Sequence, residues 1–311
     1  MIGHRDRQGG GHRRRWAGGR NLVNDIYTSP DGARTIERSY RRFLDRWPVP
    51  NEQRHVPTRE GETFVVACGP EDAPPLLLLH GASSNTAMWT ADVPAWSQHF
   101  RVYAVDVIGD AGLSAPSRPD LASEAHALWL DDVLDALGVE RTSFVGISLG
   151  GFLAVDYATR RPHRVDRLAL LCPVGFARLK AGAAVAALPL MQFGRRGRLA
   201  GLRLMLGDLS TSMLNDQEYL DFMVLVSRHL RPRLGAPVFD DATLGRLDRP
   251  VLAIVGGRDR MVDSGAIRRR LERIVSDATV RLVPGAGHAL PAQTLPVLEF
   301  LHTPDATGPR G

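Results

Sequence analysis

Apolar positions in this chain fall into short runs that alternate with stretches of helical period. Pro75-Leu76-Leu77-Leu78-Leu79 has no polar residue, as expected of a parallel strand buried on both faces. Val102–Asp106, Thr142–Val145, Leu168–Cys172, Val251–Val255 and Thr279–Val283 read as further strands. Between them the period changes. From Ser123, the residues Leu130, Val133, Leu134 and Leu137 share one helix face, and the helix stops at Gly138. Gly151–Ala158 reads as a helix ending before Pro162, and Leu295–Leu301 as a last helix closing the sheet. Strand and helix in alternation predict an α/β domain, with a mostly parallel central sheet flanked by helices.

Two segments depart from this rhythm. Near the N-terminus, Ile36, Tyr40, Phe43, Leu44 and Trp47 recur at helical spacing, which predicts an amphipathic helix that ends at Pro48 and packs on the core. A hairpin follows, with strands near Glu52–Thr58 and Thr63–Cys68. The second departure is the stretch from Val174 to Asp241. Ala181–Phe193 is apolar, Arg195-Arg196-Gly197-Arg198 is basic, and Tyr219–Leu230 reads as a helix. The apolar residues suit either a lid over a hydrophobic substrate or plain packing of that lid on the core. The arginines suit an anionic group. Glycines 182, 194, 197, 201 and 207 interrupt the segment often enough to suit a mobile lid. The expected layout is a basic tail over 1–20 and a helical elaboration over 21–55. The α/β core spans 56–173 and 242–303, with a helical cap over 174–241.

Composition narrows the class. The chain has 311 residues, ample for one large α/β domain with an insertion. Its net charge of +5 is misleading, because Arg5, Arg7, Arg13, Arg14, Arg15 and Arg20 against the single acid Asp6 already supply +5, leaving the remainder neutral. The tail therefore carries the basic character, and its Gly/Arg-rich composition predicts no fixed structure. With one aromatic, Trp16, and no reading element, it does not point to nucleic-acid recognition. It lacks the apolar region of a signal peptide, and Arg41-Arg42-Phe43-Leu44 is followed by Asp45-Arg46-Trp47-Pro48, not by an export sequence. No run of eighteen uncharged apolar residues is present. Cys68 and Cys172 sit in strand-like segments without Cys-x-x-Cys spacing, which suits buried free thiols in a reducing, cytoplasmic compartment. The histidines form no His-x-x-x-His or Cys/His motif, so no metal or cofactor is expected.

The chemistry concentrates at Gly146-Ile147-Ser148-Leu149-Gly150, between a strand and a helix. A serine there stands on a tight strand-to-helix turn, with glycines where a Cβ would clash and a helix N-terminus aimed at its hydroxyl. A serine hydroxyl needs a base to become a nucleophile, and the base needs an orienting acid. Downstream strands lead into Gly256-Gly257-Arg258-Asp259 and into Pro284-Gly285-Ala286-Gly287-His288, which gives the chain order Ser, Asp, His. On the residues alone, Asp259 also suits a helix N-cap, His288 a turn, and Asp263 is a rival acid four positions on.

With these motifs in this order, the chain resembles the α/β-hydrolase superfamily from about Glu60 to the C-terminus, apart from the insertion. The resemblance implies Ser148 as nucleophile, His288 as general base and then acid, and Asp259 as the acid that holds the imidazole tautomer. His80-Gly81-Ala82, directly after the Leu76–Leu79 run, resembles the loop that supplies one oxyanion amide; the donors implied are the backbone N–H groups of Ala82 and Leu149. His80 is expected to shape that loop and Asp106 to cap the following one, with Asp110 a solvated loop acid. The function implied is a serine hydrolase cleaving a carboxylic ester, on a hydrophobic small molecule. Carbon–carbon bond hydrolysis and cofactor-free haloperoxidase chemistry keep the serine and stay open, though Ala289-Leu290-Pro291 replaces the tryptophan often found after the histidine of carbon–carbon hydrolases. A non-catalytic ligand-binding protein on the same scaffold is the alternative of another class.

Overall fold

The structure is a computed structural model that describes residues 26–209, 216–233 and 235–303. The basic tail over 1–20 lies outside the described residues. Eight strands form one sheet in the order β1-β2-β4-β3-β5-β6-β7-β8. They are β1 Asn51–Thr58, β2 Gly61–Cys68, β3 Pro75–Leu79, β4 Arg101–Val105, β5 Thr142–Ile147, β6 Val165–Leu171, β7 Val251–Gly256 and β8 Ala278–Val283. From β4 to β8 every neighbouring pair is parallel; β1 and β2 add an antiparallel hairpin at one edge. Leu76–Leu79 of β3 are fully buried, because helices cover both faces of the central strands. β8 alternates between half-buried and exposed positions, as an edge strand does.

Two apolar cores lie on opposite faces of the sheet. One packs α3 (Ala125–Leu137), α4 (Leu149–Arg160) and α9 (Ser264–Ile274) onto residues such as Leu77, Leu79, Phe144 and Ala253. The helix α3 starts two residues later than Ser123 and ends at Gly138, whose φ of 70° is the left-handed conformation glycine tolerates. The other core packs α1 (Pro30–Leu44), the short α2 (Val93–Trp96) and α10 (Thr294–His302) onto Leu76, Leu78, Ala104 and Ile254. α1 is capped by Ser29, whose side chain accepts the Gly32 N–H. It ends at Leu44, before Pro48, and Ile36, Tyr40, Phe43, Leu44 and Trp47 are all buried. The helical elaboration is shorter than 21–55, since residues 51–55 already belong to β1.

Between β6 and β7 the chain leaves the sheet to form α5 (Ala181–Leu190), α6 (Gly194–Leu206) and α7 (Gln217–His229), then returns through the short α8 (Asp241–Leu244). α5 and α6 form a close hairpin, because a Cβ at Gly197 would sit 2.1 Å from the Leu190 carbonyl oxygen. The contacts of α1 were not legible beforehand: it packs on α7 through Phe43 against Tyr219 and Phe222, and through Arg46 to Glu218 at 2.7 Å. The arginines of α6 hold the insertion together. Arg195 pairs with Asp221, and Arg198 donates to the Ser227 carbonyl at 2.6 Å. Among the described residues, no helix is long and apolar enough to cross a membrane.

Candidate active site

Ser148 occupies the turn between β5 and α4 with φ 52° and ψ −109°, a conformation costly for a residue with a side chain. Surrounding backbone enforces it. The Ser148 N–H donates to the Leu171 carbonyl at 2.9 Å, while its own carbonyl accepts from Phe152 and Val174. The glycines on either side allow the helix to come this close. A Cβ at Gly150 would lie 2.0 Å from the Leu79 carbonyl oxygen, and one at Gly146 would lie 2.5 Å from that of Gly150. The turn thus lifts the hydroxyl away from the chain and places Leu149 at the first position of α4, where its N–H has no partner within the helix.

The loops after β7 and β8 converge on that hydroxyl. His288 Nε2 is 3.0 Å from Ser148 Oγ, and His288 Nδ1 is 2.8 Å from Asp259 Oδ2. His288 and Asp259 are buried, and Ser148 is half-buried. The other carboxylate oxygen, Oδ1, accepts the N–H groups of Met261 at 2.7 Å and Val262 at 2.9 Å, which fixes the plane of the carboxyl. Burial works against ionising Asp259, yet the hydrogen bond to His288, with those from the two amides, holds its carboxyl below the usual range. An ionised carboxylate can only accept, so His288 Nδ1 carries the proton and Nε2 is free to accept from Ser148. Asp263 is occupied elsewhere: it caps α9, accepting the Ala266 N–H at 3.0 Å. Geometry therefore separates the two acids that the sequence left as rivals.

The loop after β3 lies against the serine, with the position a Cβ would take on Gly81 only 3.6 Å from Ser148 Cβ. His80 is fully buried; its Nε2 accepts the Val107 N–H at 2.8 Å and its Nδ1 donates to the Gly81 carbonyl at 2.8 Å. Burial pushes its pKa down to about 4, so it remains the neutral clasp between this loop and the one after β4. Asp106 ties the same loops together by accepting from Tyr40 Oη at 2.9 Å, Thr86 N at 2.9 Å and Leu113 N at 2.8 Å. Asp110 corrects the expectation of a solvated acid. It is only 2% exposed, and its Oδ1 accepts the Ser83 N–H at 2.7 Å, one residue from Ala82. Burial pushes its pKa up to about 6, opposed by the charges of Arg233 and Arg118. No local pattern marks this, because Arg233 arrives from beyond α7.

The insertion touches both loops around the serine. On one side Tyr219 Oη of α7 meets Ser84 Oγ at 2.8 Å. On the other the Leu206 carbonyl accepts the Ala289 N–H at 2.9 Å, and a Cβ at Gly207 would lie 2.9 Å from Gly287 Cα. The entry to the insertion is bonded to the acid's loop, since Lys180 N donates to the Met261 carbonyl at 2.8 Å. Tyr219 and Ser84 escaped the sequence reading, for nothing local links positions so far apart. The glycine pair 207 and 287 was the one available sign of a close backbone approach.

Cys172, Asp259 and His288 bring one potential metal-ligand atom each within 4.8 Å of one another. Asp259 Oδ2 already receives the His288 proton, and burial followed by the Asp259 charge pushes the Cys172 thiol well up and keeps it protonated. A cation here would displace both protons, so the donor set fits a proton relay better than a metal. Cys68 and Cys172 are both free and buried.

Comparison with known proteins bears on the fold and the family. A family model described as the alpha/beta hydrolase fold matches residues 74–234. Carboxylesterase YbfK of Bacillus subtilis is 35% identical over 263 residues, covering 81% of this chain and 87% of that protein. The crystal structure of carboxylesterase CesB (YbfK) from Bacillus subtilis superposes with a TM-score of 0.77 at 32% identity, covering 88% of this chain and 99% of the other. That of naproxen esterase (carboxylesterase NP) from Bacillus subtilis superposes with a TM-score of 0.75 at 30% identity, covering 88% and 97%.

Proposed function

The chain belongs to the α/β-hydrolase fold family, and from that membership we propose that it is a carboxylic ester hydrolase working through an acyl-enzyme on Ser148. One observation carries the reading: His288 lies between Ser148 Oγ at 3.0 Å and Asp259 Oδ2 at 2.8 Å. Ser148 Oγ attacks the ester carbonyl as Nε2 takes its proton. The imidazolium that forms has both nitrogens satisfied, with Asp259 held ionised beside it. The carbonyl oxygen becomes an oxyanion, which the amides of Ala82 and Leu149 receive. Collapse expels the alkoxide, which leaves as the alcohol with the proton from His288. Water then attacks the acyl-enzyme, giving its proton to His288, and Ser148 recovers that proton as the acid departs.

The insertion acts as a cap, which its contacts to Ser84 and Ala289 support. The partly buried Met205 and Leu206, at the end of α6 beside the His288 loop, suit a hydrophobic acyl group. Likeness to a naproxen esterase points the same way. The cytoplasmic placement is part of this reading and rests on the free thiols. The test is hydrolysis of p-nitrophenyl esters from acetate to laurate, with Ser148→Ala as the blank and mass spectrometry of the quenched enzyme. Turnover lost in the variant, with acyl mass on the peptide holding Ser148, is the expected result. Equal turnover in the variant, or no turnover above the blank at any chain length, overturns the reading.

A further inference from the structure

We propose that the α5–α6 hairpin of the insertion is a docking surface for an anionic lipid bilayer. α5 reads Ala-Gly-Ala-Ala-Val-Ala-Ala-Leu-Pro-Leu, and of these ten residues only Ala187 is buried. Ala181, Ala184, Val185 and Leu188 follow the i, i+3, i+4, i+7 spacing that lines one helix face, and Phe193 stands at the turn into α6. Val185 and Leu188 are each 61% exposed and Phe193 is 74% exposed. The sequence left open whether this apolar segment packs on the core. It points outward, as an apolar ridge that water meets on most sides.

Charge selects the occupant. From Val174 to Gly207 there is not one acid, while Arg178, Lys180, Arg195, Arg196, Arg198 and Arg203 supply six cations. Arg178, Arg196 and Arg203 are exposed, whereas Arg195 pairs with Asp221, Arg198 donates to the Ser227 carbonyl and Lys180 Nζ donates to the Asp259 carbonyl. A second copy seated symmetrically on this face would set the same cations against themselves. A bilayer with anionic headgroups answers both features, taking the apolar ridge into the boundary between headgroups and acyl chains while the cations meet phosphates. The proposal stands apart from the esterase reading, because binding is measured without turnover.

The experiment is flotation of the full-length protein with vesicles of phosphatidylcholine alone and of phosphatidylcholine mixed with phosphatidylglycerol, at low and high salt. The mixed vesicles should bind at least about tenfold more protein at low salt, and lose most of it at high salt. Leu188→Ser with Phe193→Ser removes the ridge without altering charge, and Arg178→Gln with Arg196→Gln and Arg203→Gln removes cations without altering the ridge. Each set should cut binding about tenfold or more while the thermal midpoint stays at the wild-type value. A Phe193→Trp variant should show an emission blue shift with mixed vesicles. Both double and triple sets leave the arginines of residues 1–20 in place. If the serine variant binds like wild type, those arginines alone hold the protein and the proposal is overturned. It is equally overturned if mixed vesicles bind no more than neutral ones, or if the serine substitutions abolish a dimer while no vesicle binds.

Discussion

Replacing Asp259 with asparagine tests the proton relay at its most informative point. The side chain keeps its shape, but one oxygen becomes an NH2 group. In the native site Oδ1 accepts from Met261 and Val262, and Oδ2 faces His288 Nδ1. With the asparagine carbonyl kept toward the two amides, the NH2 donates to His288 Nδ1. The imidazole proton then shifts to Nε2, the nitrogen that receives the proton of Ser148 in the proposed mechanism. Flipping the amide restores the tautomer but turns the NH2 toward two N–H donors. Leaving buried donors unpaired costs about 1–3 kcal/mol each, so about 2–6 kcal/mol favours the unproductive arrangement. At about 1.4 kcal/mol per tenfold, kcat/KM should fall about 30-fold to 10⁴-fold, with the lost charge beside the imidazolium adding to the penalty. The assay is kcat/KM on one p-nitrophenyl ester for wild type, Asp259→Asn, Asp263→Asn and Ser148→Ala. Asparagine caps a helix as well as aspartate does, so Asp263→Asn should leave both kcat/KM and the urea midpoint near wild type. Asp259→Asn within tenfold of wild type, or Asp263→Asn falling as far, would refute the reasoning.

Two further outcomes are expected. Tyr219→Phe removes the hydroxyl that meets Ser84 Oγ, which should lower stability by about 1 kcal/mol and reduce kcat, since Ser84 is two residues from Ala82. Ser84→Ala should give the same loss, and a double variant no worse than either single one would show a shared bond; strictly additive losses would count against it. His126 is buried, and burial followed by the charge of Arg233 pushes its pKa down to about 4 from the ordinary 6.5. Between those values the unfolded chain binds a proton that the folded one excludes. Its contribution is therefore present above pH 6.5 and lost as pH falls, by up to about 1.4 kcal/mol per pH unit. Asp92, Asp106 and Asp110, each pushed up to about 6 by burial, act in the opposite direction over much of that window. The readout is thus the difference between proteins: in urea titrations from pH 7 to 4.5, His126→Gln should lose less stability on acidification than wild type. Parallel curves would disprove it.

Much of the fold and the centre of the site could be read from the chain because their causes are local. Leu76–Leu79 must be buried on both faces, and strand, Gly, Ser, Gly, helix leaves Ser148 one conformation. The stripe Ile36, Tyr40, Phe43, Leu44 and Trp47 declared a buried helix face for the same reason. Partners were another matter. That α1 and the turn after it grip α7 through Phe43 and Arg46 depends on where a segment far along the chain returns. Asp259 and Asp263 are equivalent by spacing, and only the arrival of the β8 loop gives one of them His288 while α9 claims the other. Asp110 reads as a loop acid until Arg233 and the Ser83 amide close over it. The apolar run of α5 looks the same whether it faces the core or water, since hydropathy records what a residue prefers and not what space remains to receive it. Local sterics and periodicity determined the elements and the turn that holds Ser148. Which acid, which donor and which surface belong to the site was decided by contacts between distant segments, which exist only once the sheet has assembled.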